Sequence, residues 1–215
     1  MEFDLKKLIF ILGIVVFAVN PIFSQEQQDN SLDLLNEINA ADTLNQKLLP
    51  DHFLFTQHFL WGEGGLMRKF DRFELTPEKR QQELSLRRNM LMVHQYLGFA
   101  TLGGMIAQGI VGQKLYDGQK SLKGTHENLA AAVNVAYFST ASLALFAPPK
   151  MTEDVEGYSS IKDHKILAIV HFTSMIATNV LAGMLESDSS IKPYHRAAAL
   201  TAFGSLAASM IIIKF

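Results

Sequence analysis

Five histidines, His94, His126, His164, His171 and His195, fall inside or at the mouths of four long apolar stretches between residues 89 and 215. A neutral imidazole can ligate a metal, pass a proton or hydrogen-bond to a neighbouring helix. An ionisable side chain placed in a bilayer costs about 2.5 kcal/mol or more unless it finds a partner. A histidine in every stretch therefore points to function. Two imidazoles from facing helices can fill both axial positions of a b-type haem iron. They do so as neutral rings, which suits a low-dielectric interior.

Each histidine lies near the beginning of its stretch. Helices that alternate in direction then bring His94 together with His164 and His171 in one half of a bundle. They bring His126 together with His195 in the other half. Any one of these side chains could equally be a hydrogen-bonding residue between helices. The paired, alternating arrangement, with almost no other embedded ionisable group, favours ligation of two haems. His164 and His171 are seven residues apart and share a helix face. Spacing favours His164, because His94 to His126 is 32 residues and His164 to His195 is 31. Depth favours His171, which follows Lys165 by six residues as His94 follows Arg88. His164 is preferred, with His171 as its alternative; the one left over would neighbour the site, carry protons or pass electrons outward. The methionines, Met90, Met92, Met105, Met175, Met184 and Met210, are read as packing.

The elements that must position these rings are four helices at about 89–113, 126–147, 161–185 and 194–215. At 1.5 Å per residue each reaches roughly 30 Å or more, enough for a hydrocarbon core. Short connections force antiparallel neighbours, so the expected fold is an all-α membrane protein with an up-down four-helix transmembrane bundle. Gly98, Gly103, Gly104, Gly109, Gly183 and Gly204, with alanines at 130–132, 197–199, 207 and 208, are expected to let backbones approach closely.

Three segments follow from composition: a signal peptide at 1–24, an exported helical segment at 25–88 and the transmembrane haem-binding domain at 89–215. Lys6 and Lys7 precede about a dozen apolar residues from Leu8, short for a span, with Asn20 and Pro21 after them. Ser31 is a candidate helix cap, and Thr76-Pro77-Glu78 is a strong helix start. Residues 52–61 are aromatic-rich, as interfacial segments are; His52 and His58 there are read as surface residues. The flanking basic residues divide evenly between the two sides of the bundle, five and five, so the signal sets the N-terminal segment outside.

The chain has 215 residues, 48% hydrophobic and 19% charged, with net charge -2. That balance gives no electrostatic case for nucleic acid. The absence of cysteine excludes disulfides, thiolate metal sites and a cysteine nucleophile. There is no hydrolytic triad and no phosphate-binding glycine loop. Glu127 and Glu186 lie at helix ends, so no acidic residue sits deep in a span to support a cation path.

The four histidines in Val-His-Gln-Tyr-Leu-Gly (His94), Leu-Lys-Gly-Thr-His (His126), Ser-Ser-Ile-Lys-Asp-His (His164) and Tyr-His-Arg (His195) resemble the ligands of the cytochrome b561 family. The resemblance covers about residues 85–215 and includes the bacterial and DOMON-linked types. It implies four helices with one ligand histidine each, two b haems, and a haem-dependent transmembrane oxidoreductase. Electrons would pass from quinol or a cytosolic reductant to an exported acceptor, across a bacterial inner membrane. Lys123, Lys162 and Lys165 resemble the basic residues that bind an anionic reductant such as ascorbate in some members. Span 161–185 lacks the family's usual aromatic-rich motif after its histidine. The alternative is a non-redox membrane scaffold whose exported segment grips a partner. A homodimer and a complex subunit are both compatible with the sequence.

Overall fold

The computed structural model describes residues 47–151 and 159–213. The expected signal peptide and the helix expected after Ser31 lie outside the described residues. Helix α1 spans Phe55–Trp61 and is followed by two 3-10 turns, Leu66–Lys69 and Asp71–Phe73. Four long helices follow: α2 (Pro77–Tyr116), α3 (Lys123–Leu145), α4 (Ser160–Met184) and α5 (Lys192–Ile212). All four are long and apolar enough to cross a bilayer. The protein is an all-α, multi-pass four-helix bundle.

Helix α2 begins as its sequence dictates. The Thr76 side chain accepts from the Lys79 amide at 3.4 Å, and Pro77 takes the first helical position. The helix runs unbroken for 40 residues, so nothing interrupts the chain at the expected 88/89 boundary. At 1.5 Å per residue it is about 60 Å long, roughly twice a hydrocarbon core. Its first turns therefore stand clear of the spanning region and belong to a cap.

The bundle is two hairpins. Helix α2 packs chiefly along α3 and α4 chiefly along α5, while between the hairpins the main backbone approach is a much shorter one of α2 to α5. Gly98, beside Thr140 and Met210, and Gly104, beside Val133, lie where neighbouring helices come close. Gly103, Gly109, Gly183 and Gly204 do not; a methyl group added at any of them would meet nothing. They do not mediate helix packing as expected, because each is on an exposed face. On the opposite side α3 and α4 are joined by polar groups. Asn134 and Asn179 exchange amide hydrogen bonds of 2.8 and 2.9 Å. In lipid such bonds hold helices together where apolar surface gives no net attraction.

The two hairpins also repeat one another. His94 and His164, Met105 and Met175, and Gln108 and Thr178 are each 70 residues apart. His126 and His195, Val133 and Ala202, and Thr140 and Ser209 are each 69 apart. Met105-Ile106-Ala107 recurs as Met175-Ile176-Ala177. The 3-10 turn Lys120–Leu122 recurs as Ser189–Ile191, with three residues between each turn and the histidine that follows, His126 or His195. The halves are thus parallel repeats about an axis along the bundle. At mid-bundle Met105, Val133, Tyr137, Met175, Ala202 and Leu206 close into one buried core drawn from all four helices.

The cap is fixed to the α3–α4 connection. The last carbonyls of a helix have no partner within it. Here those at and beyond the end of α3 are taken by cap side chains. Thr56 donates to the Leu145 carbonyl at 2.6 Å, Trp61 to Phe146 at 2.9 Å and Gln57 to Ala147 at 3.0 Å. Arg87 and Arg80 donate to the carbonyls of Pro148 and Pro149, each at 2.8 Å. Beneath them Glu83 is ion-paired with both Arg68 and Arg80, and Arg80 and Glu83 are fully buried. His52 and His58 remain exposed, His58 stacked on Phe53.

Candidate functional site

Three of the histidines are anchored in one way. His94 Nδ1 lies 2.8 Å from the Thr140 carbonyl on α3. His164 Nδ1 lies 3.1 Å from the Ser209 carbonyl on α5, and His195 Nδ1 lies 3.0 Å from the Thr178 carbonyl on α4. A carbonyl oxygen only accepts, so Nδ1 must carry the proton in each ring. In the neutral imidazole Nε2 is then bare, with its lone pair available to a metal. Thr140 and Ser209 are repeat equivalents, so His94 and His164 are held by equivalent carbonyls in the two hairpins.

His94 and His164 face each other from the two hairpins with ring centres 6.5 Å apart. The ring planes stand at 81° to one another. His171 is engaged elsewhere: its Nδ1 shares a 2.5 Å hydrogen bond with the Tyr137 hydroxyl on α3. Seven residues, or about 10 Å, separate it from His164 along α4. The structure thus brings His94 together with His164 and turns His171 to the mid-bundle core.

At the other end, His126 and His195 come from α3 and α5, again one from each hairpin. His126 rests on α2. Its ring nitrogens lie 3.1 and 3.3 Å from Gln108 Nε2, and a methyl at Gly112 would come within 2.9 Å of its Cε1 atom. Gln108 is 14 residues beyond His94, about 21 Å along α2. The two pairs are therefore separated by most of a hydrocarbon core roughly 30 Å thick, with the mid-bundle core between them.

Among the described residues no three His, Cys, Asp or Glu side chains converge as a metal-binding group. The arrangement offers donors in twos. A porphyrin supplies four ligands itself and asks the protein for two, which the bare Nε2 atoms of His94 and His164 would supply. Gln108, Gly112, Thr140, Thr178 and Ser209 form the histidine surroundings that sequence reading missed. The 69- and 70-residue repeat is the signal that would have found Thr140, Thr178 and Ser209.

Gly112→Ala is expected to displace the His126 ring while leaving the His94 pair intact. In purified protein this should appear as a shifted His126 imidazole resonance, with the His94 resonance and the helical circular dichroism spectrum unchanged. An unshifted His126 resonance would mean the ring does not need the Gly112 backbone.

No family model, no curated protein and no solved structure matches the chain.

Proposed function

We propose that the protein carries electrons across a membrane through two b-type haems, from quinol or a cytosolic reductant to an acceptor on the exported side. The observation that carries this reading is the His94–His164 pair: two rings from different hairpins, 6.5 Å apart, each with Nδ1 committed to a carbonyl. His94 and His164 hold one haem. His126 and His195 hold the other, nearer the opposite face. The haem supplies one-electron iron chemistry when bound. The chain sets ligand basicity through the Nδ1 bonds. The cap side is the exported side, and the bilayer is a bacterial inner membrane. This reading agrees with the resemblance to the cytochrome b561 family.

Vesicles enclosing an impermeant ferric salt test it, with a quinol supplied outside. Reconstituted protein should reduce the enclosed salt, whereas a His94→Ala/His126→Ala variant should do so no faster than empty vesicles. Equal reduction by the variant would overturn the proposal.

A second reading, a non-redox scaffold that grips an exported partner, is favoured by one feature. Phe55, Phe59 and Phe70 of the cap are 83%, 60% and 57% exposed. Biological activity that survived the double histidine change would support this reading.

A further inference from the structure

Gln108 stands out because its Oε1 is buried without a hydrogen-bond partner. Its amide nitrogen faces the edge of His126 that carries both ring nitrogens, at 3.1 Å from Nδ1 and 3.3 Å from Nε2. Donation to Nε2 would occupy the lone pair that a metal needs. Leaving Oε1 unpaired in a dry interior costs about 1–3 kcal/mol. Half a turn of the amide, with a small swing of the ring, removes both difficulties. Oε1 then accepts from Nδ1–H, and Nε2 is bare. That is the state of His94, His164 and His195, each of which gives Nδ1–H to an oxygen. The repeat points the same way. Gln108 is the α2 equivalent of Thr178 on α4, whose carbonyl holds His195. The Gly112 backbone, one turn beyond Gln108, leaves room for the ring.

We infer that Gln108 is the positioning residue of the His126 ligand, doing with a side-chain oxygen what main-chain carbonyls do for the other three. The inference rests on the two-haem reading. Main-chain oxygens stay when a side chain is replaced, so the His126 centre alone has an anchor that a substitution can remove. Its reduction potential can be tuned independently of the other centre. An acceptor with more negative charge makes the ligand more basic and favours ferric iron; loss of the acceptor does the reverse.

The test is a redox titration of haem-loaded wild type, Gln108→Leu and Gln108→Glu, followed by optical and electron paramagnetic resonance spectra. Gln108→Leu removes the acceptor. One of the two centres should shift its reduction equilibrium at least tenfold toward ferrous, or 59 mV for a one-electron couple, or lose its six-coordinate low-spin signal. The other centre should not move. Gln108→Glu keeps an acceptor oxygen, so the low-spin signal should be retained at a potential no higher than wild type. Two unshifted centres in both variants would overturn the positioning role while leaving the two-haem reading intact. Equal shifts in both centres would also overturn it. A wild-type protein that binds no haem would instead remove the reading on which the inference rests.

Discussion

Changing His94 and His164 together to alanine is expected to halve the haem content of the purified protein, from two per chain to one. The surviving centre should keep the low-spin spectrum of a bis-histidine haem. The complementary pair, His126→Ala with His195→Ala, should halve it too and leave the other centre. All four changes together should abolish binding. The expectation follows from geometry. Each pair bridges the hairpins, and the pairs are about 21 Å apart along α2, so neither can stand in for the other. His171 cannot rescue His164, because its ring lies seven residues, about 10 Å, deeper along α4, beside Tyr137 of the mid-bundle core. Haem quantification checks the stoichiometry. Retention of two haems after the first double change would show that the His94–His164 contact is not a ligand pair.

The second large effect lies outside the bundle. Glu83 is ion-paired with two buried guanidinium groups, those of Arg68 and Arg80. Arg68 also donates to the carbonyls of Phe73 and Trp61, each at 2.6 Å, and Arg80 to that of Leu48 at 3.0 Å. Removing one partner of a buried ion pair costs about 3–5 kcal/mol, because the remaining charge is left uncompensated. Glu83→Ala takes this partner from two cations at once. The variant should lose the cap before the bundle, which a rise in proteolytic cleavage near residues 62–76 would report. The thermal unfolding midpoint in detergent should fall as well. Glu83→Gln, which keeps the shape and an acceptor oxygen, should fall between alanine and wild type. Unchanged cleavage in the alanine variant would mean the cap is held by its carbonyl contacts alone.

The bundle was legible because lipid permits few solutions. Four apolar stretches of spanning length with short connections leave little but antiparallel helices. The start of α2 was equally plain, since Thr76, Pro77 and Glu78 each act within one turn. The histidine pairing also followed from direction: helices that alternate must bring His94 to the level of His164. What sequence alone left open was which of His164 and His171 faces His94. Both share a helix face, and only their partners on other helices distinguish them: His164 meets the His94 ring and the Ser209 carbonyl, His171 the Tyr137 hydroxyl.

The cap was illegible for a different reason. Arg80 and Glu83 have the composition of an exposed amphipathic helix, and Arg87 counts toward a charge rule. The two arginines are held by carbonyls some 60 to 70 residues away, at Pro148 and Pro149, and Glu83 by Arg68 and Arg80. Main-chain acceptors leave no mark in side-chain identity. The same blindness applies to Thr140, Thr178 and Ser209, whose carbonyls hold three histidines. The glycines misled in the opposite sense. A small residue in a span reads as a packing contact, yet four of those expected to serve helix approach face open space.

The most direct test of two haems between two hairpins is the reduced-minus-oxidised absorption spectrum of the purified, haem-supplemented protein with haem quantified per chain. Sharp alpha and Soret bands of bis-histidine b-type haem are expected, at two haems per chain. A protein that stays colourless after supplementation, with its helices intact by circular dichroism, would contradict it.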